Sequence, residues 1–89
     1  MNFDKDSTEN VPHASGIYVM HTAMKILYVG YSYDMRKSLG ENRSDPCISE
    51  AKRFRYMLTN SPDEAKKKLL KEYFEKHGQL PRCNHKEEL

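Results

Sequence analysis

Two short apolar runs, Ile17-Tyr18-Val19-Met20 and Ile26-Leu27-Tyr28-Val29, constrain this chain more than any other feature. Each is bordered by a glycine, and only residues 21–25 separate them. Both runs are rich in β-branched and aromatic residues, which favour strands. The intervening "HTAMK" is too short for a helix, so a hairpin is the economical solution. With a closing loop of three or five residues centred on Ala23, Met20 faces Ile26 and Tyr18 faces Tyr28. Directly opposed residues share one face of a sheet, and a slip of one residue would send the two rings to opposite faces. The pattern therefore predicts two paired tyrosines on one face, with both hydroxyls opening to a concave, basic surface.

The remaining segments suggest what packs around that hairpin. Asp34 is placed to cap a short helix through Met35, Arg36, Lys37, Ser38 and Leu39, with Gly40 as its stop. "ENRSDP" reads as a loop, "CISEAKRF" as a second short helix and "FRYMLT" as a third strand. "SPDE" at 61–64 has the form of a capping box with proline at the first helical position. Ala65, Leu69, Leu70, Tyr73 and Phe74 then recur at helical spacing, Lys66, Lys67, Lys68, Lys71 and Lys76 cover the rest, and Gly78 ends the helix. The fold class expected is α/β (α+β): a small three-stranded antiparallel sheet flanked by helices, in the order β-β-α-α-β-α.

At 89 residues the chain is one domain with a small core. Residues 1–12 carry few apolar side chains and read as a flexible tail, residues 13–85 as the domain and residues 86–89 as a second short tail. No apolar run is long enough to span a membrane, and the polar start is no signal peptide, which makes a cytoplasmic location the default. The net charge is +2, but residues 11–84 hold thirteen Lys or Arg against eight Asp or Glu. That excess permits a polyanionic partner without demanding one. Cys47 and Cys83 form no CxxC pair and read as free thiols. Cys83, His85 and His77 lie close in sequence, but their spacing is wrong for a structural zinc site.

"GIY" at 16–18 and "YVG" at 28–30, followed by a basic helix, a third strand, a further helix and "LPRCN", resemble the GIY-YIG nuclease family over residues 14–85. The resemblance implies a DNA endonuclease that hydrolyses phosphodiesters with one Mg²⁺ or Mn²⁺. It implies that Tyr18 and Tyr28 belong to the active site and serve nucleophile activation, and that Asn84 fixes its geometry by hydrogen bonding. A single glutamate would hold the metal. Counting back from Asn84 without a gap selects Glu72, whereas matching Leu69-Leu70 to the family's paired aliphatics puts Lys66 at that position, with Glu64 and Glu72 the nearby carboxylates. The family's arginine falls at Ser38, leaving Arg36 or Arg43 as substitutes.

These departures keep a second reading open, in which a degenerate relative retains the fold as a binding or inhibitory module for DNA or a protein partner. The DNA contact expected is ionic and sequence-independent, from Arg36, Lys37, Arg53, Arg55 and the lysines of 66–76. No aromatic stacking platform or base-reading helix is evident in the sequence. Cleavage is expected to be weak because a serine cannot grip phosphate oxygens as a guanidinium does.

Overall fold

A computed structural model describes residues 1–85. In chain order these form α1 (Lys5–Glu9), β1 (Gly16–His21), β2 (Ile26–Ser32), α2 (Met35–Asn42), a single 3-10 turn (Ile48–Glu50), β3 (Arg53–Leu58) and α3 (Pro62–His77). The sheet has three antiparallel strands, as expected, and their order is β2-β1-β3. The middle helix of the expected order is only the 3-10 turn. The tail expected over 86–89 lies outside the described residues.

β1 is the central strand and is buried on both faces, which explains its unbroken apolar sequence. On one face Tyr18, Met20 and Phe54 pack with Met35 and Leu39 of α2, Ile48 of the 3-10 turn, and Val11. On the other, Val19 and Val29 pack under Leu70 of α3, with Ile26, Leu69 and Leu80 around them. The sheet thus divides two small cores.

The hairpin register differs from expectation by two residues. Tyr18 lies opposite Gly30 and Met20 opposite Tyr28, with an irregularity between Met20 and His21. The cause is the turn: Thr22 donates its N–H to the Lys25 carbonyl at 2.8 Å and accepts the Lys25 N–H on its hydroxyl at 3.1 Å. That side-chain closure centres the hairpin past Ala23. A shift of two preserves the period-two alternation, so both tyrosines still share a face.

The first twelve residues are not an unpacked tail. Met1 and Phe54 exchange hydrogen bonds, Asn2 bridges to Arg53, and the Phe3 ring meets Phe54 edge-on at 6.0 Å. Val11 and Thr8 are buried, with the Thr8 hydroxyl spent on the carbonyls of Asp4 and Lys5. The segment covers part of β3's outer edge, whose main-chain groups need partners.

Two helices also differ in detail. Asp34 caps α2 as expected, but the helix runs through Gly40 to Asn42. α3 begins at Pro62 and ends at Gly78, whose φ of 73° is the left-handed conformation favoured at helix C-termini. Its capping box does not form: Ser61 makes no side-chain cap and instead donates its N–H to the Thr59 hydroxyl at 3.2 Å. The buried stripe of α3 is Pro62, Lys66 and Leu70, while Phe74 is exposed.

Candidate active site

The tyrosine pair is built around a glycine. Tyr18 on β1 and Tyr28 on β2 have ring centroids 6.2 Å apart at a tilt of 43°. A β-carbon at Gly30 would lie 2.5 Å from Tyr18 Cζ and 2.6 Å from Tyr28 Cε2, so the rings occupy the space a side chain would need. Gly16 plays the matching part at the start of β1, where a β-carbon would meet the Met57 carbonyl and the Met35 sulfur. Sterics thus explain both motif glycines without any appeal to flexibility.

Tyr18 is 3% exposed, contrary to the expectation that both hydroxyls open to a cleft. Its hydroxyl accepts a hydrogen bond from Asn42 Nδ2 at 2.8 Å. Tyr28 is only half-buried. Asn42 had no motif to mark it. The one available sign was its position one helical turn beyond Ser38, on the same side of α2.

Ser38 ties α2 to the end of β2 by donating its hydroxyl to that of Ser32 at 2.6 Å. Arg36, the expected substitute for the family arginine, turns instead to the N-terminal segment and donates Nε to the Val11 carbonyl at 2.7 Å. Arg43 is exposed at the end of α2.

Asn84 acts as an additional rung on β2, an outer strand of the sheet. Its Oδ1 accepts the Val29 N–H at 2.9 Å and its Nδ2 donates to the Val29 carbonyl at 3.0 Å. Cys83 donates its N–H to the Leu27 carbonyl at 2.8 Å. Tyr28 lies between those two anchored residues. Asn84 is 8% exposed, so these bonds form out of water, where leaving Val29 unpaired would be costly. Cys47 and Cys83 are joined in a disulfide, correcting the expectation of free thiols. The bridge connects the Asn84 segment to the start of the 3-10 turn.

Glu72 does not join the tyrosines. It lines a groove on the opposite face of the sheet, beside Val19, Val29, Arg55 and Tyr73. Lys66, at the alternative position, is buried, and its ammonium lies 5.3 Å from the centroid of the Tyr31 ring. Among the described residues, no group of three or more His, Cys, Asp or Glu side chains could hold a metal ion. Glu72 thus lies across the sheet from the tyrosine pair.

The exposed aromatics are a feature that the sequence did not reveal. Tyr31 and Tyr33 are 40% and 65% exposed and meet edge-on at 6.3 Å, just beyond Gly30. They form an open aromatic pair with the Lys66 cation against one ring. No helix among the described residues is long and apolar enough to cross a membrane.

No profile of a known protein family matches the chain. It is 30% identical over 70 residues to the UvrABC system protein C of Finegoldia magna, a match spanning 68% of this chain but only 12% of that protein. Among solved structures it resembles the GIY-YIG N-terminal endonuclease domain of UvrC from Thermotoga maritima bound to magnesium, its catalytic divalent cation. That domain has 15% identity and a TM-score of 0.67, with 90% of this chain and 93% of the other covered. An asparagine-to-alanine variant of the same domain, also bound to its catalytic divalent cation, has 14% identity, a TM-score of 0.68 and coverages of 91% and 93%.

Proposed function

We propose, from the premise that this chain carries the GIY-YIG fold of the UvrC endonuclease domain, that it is a DNA-binding domain with feeble or no phosphodiester cleavage. The likeness in fold and the sequence match to UvrC support DNA as the partner. The observation that carries the second half is the Ser38–Ser32 hydroxyl pair, standing where the family resemblance implies a guanidinium. Phosphodiester cleavage needs a place for developing negative charge, and losing one such stabiliser commonly costs about 10²–10³ in rate. The scaffold of the site persists: Tyr18 and Tyr28 share a face over Gly30, and Asn84 fixes the edge of β2.

Binding would draw on exposed cations. Lys67, Lys68, Lys71 and Lys76 are exposed on α3, and Arg53 and Arg55 on β3. Such contacts release counterions, so log affinity falls with log salt at roughly 0.9 per phosphate for duplex DNA. Tyr31 and Tyr33 add surface on which an unpaired base could stack, an interaction worth roughly 1–3 kcal/mol per base.

The test pairs binding with nicking. Supercoiled, branched and single-stranded DNA are incubated with the protein, with Mn²⁺ and with chelator, and affinity is followed across salt. Salt-sensitive binding with little or no metal-dependent nicking is expected. Rapid metal-dependent nicking by the wild type would restore the endonuclease reading. Absence of binding at low salt would favour a protein partner.

A further inference from the structure

We infer that the Cys47–Cys83 bridge is a thiol-sensitive latch that sets how firmly Asn84 clamps β2 beside the tyrosine pair. Three observations meet here. Cys83 directly precedes Asn84, whose amide holds both main-chain groups of Val29. Cys83 and Tyr18 belong to one packed cluster, against which Cys47 and Tyr28 also pack. The other end of the bridge is rigidly seated: Asp45 accepts the N–H groups of Cys47 and Ile48 at 2.8 and 2.9 Å, and Ile48 is buried.

Without the bridge, residues 80–84 keep the Cys83 and Asn84 hydrogen bonds, buried Pro81 and the exposed Arg82–Glu50 ion pair at 2.8 Å. An exposed pair of that kind holds little. The segment then becomes one of the structure's easier local openings, and each opening exposes the edge of β2 on both sides of Tyr28.

The chemistry is thiol–disulfide exchange with a dithiol reductant. A reductant thiolate attacks Cys47 Sγ, the more accessible of the two because Cys83 is 8% exposed. The Cys47–Cys83 bond breaks, a mixed disulfide forms at Cys47, and Cys83 leaves as a thiolate that takes up a proton. The reductant's second thiol then displaces Cys47 as a thiol and leaves the reductant as its disulfide. Two electrons and two protons pass to the protein. Reducing compartments favour the open form and oxidising ones the latched form.

The test follows amide hydrogen exchange in the full chain, oxidised and after dithiothreitol. Reduction should accelerate exchange at the Val29 amide by at least about tenfold, while amides shared by β1 and β3 change less. Cys47→Ser should match the reduced wild type and ignore the reductant. Asn84→Ala should loosen Val29 with the bridge intact. Equal acceleration across the whole sheet, or none at Val29, overturns the latch, and the wild-type redox pair decides even if a variant fails to fold. A second arm, which rests on the DNA-binding proposal, compares DNA affinity in the two states. A change of at least about threefold supports gating of the site, and equal affinity despite a loosened Val29 overturns it. Absence of DNA binding in both states sinks the DNA proposal and leaves the latch to the exchange result.

Discussion

Replacing Gly30 by alanine puts a methyl group where two rings already stand. Its carbon would lie 2.5 and 2.6 Å from Tyr18 Cζ and Cε2, and 2.6 Å from Tyr28 Cε2. Carbon atoms settle at about 3.5–4.0 Å, so each ring must retreat by roughly 1 Å. Tyr28 is half-buried and can swing outward. Tyr18 is 3% exposed and has no such route. Moving its ring by that distance also takes its hydroxyl, now 2.8 Å from Asn42, beyond useful hydrogen-bond reach.

Overpacking of this kind costs roughly 1–3 kcal/mol. Loss of glycine's freedom in the unfolded chain returns roughly 0.4–1 kcal/mol. The net is a destabilisation of about 1–2 kcal/mol, and for a domain of this size a fall in Tm of roughly 5–15 °C. Thermal and urea unfolding measure it, and the Tyr18 and Tyr28 ring resonances should move together. Gly40→Ala is the control, since nothing lies within 4 Å of a β-carbon there. An alanine at 30 that melts with the wild type and leaves both rings unmoved would refute the steric account of the motif glycine.

Removing the Cys47–Cys83 bridge should destabilise the protein globally as well as locally. The cysteines are 36 residues apart, and loop-closure entropy for that length gives about 4 kcal/mol, to be read from urea midpoints with and without reductant. Acid stability should depend on His13: its hydrogen bond is the largest cause holding Asp34 below the ordinary value of 3.8. A depressed carboxylate contributes stability that is fully present above the unfolded value near 3.9 and is lost as pH falls through the lower folded value. His13→Ala should therefore lower stability above about pH 4 and flatten its loss as the pH falls further, and an unchanged profile would count against the pair. Ser38→Arg should raise metal-dependent nicking, by up to about 10²–10³, and an unchanged rate would show that the missing guanidinium is not what limits cleavage.

What the sequence made legible follows from which physical quantity each feature depends on. The shared face of Tyr18 and Tyr28 was readable because alternation has a period of two and survives a two-residue shift in register. The register itself was not, because it is set by the Thr22 hydroxyl closing the turn. Phe3 and Val11 are isolated apolar residues in a polar stretch; Phe3 finds its place against Phe54 of β3, and Val11 in the core with Met35 and Leu39 of α2. Cys47 and Cys83 show no spacing signal, since their pairing depends on where the chain returns after α3.

The metal position shows the same limit most clearly. Counting residues selects a carboxylate by its distance along the chain, but a helix presents side chains by phase. At about 100° per residue, Glu72 lies roughly 240° round α3 from Lys66, so the two cannot serve one face. The apolar pattern had placed Lys66 among the solvent lysines and Phe74 inside. The structure reverses both, burying the Lys66 stem in the Pro62–Leu70 stripe and setting its ammonium against Tyr31. A long aliphatic stem allows that burial while an aromatic face meets the charge. Helix phase therefore withdraws the carboxylate from the tyrosine pair and brings a lysine to β2.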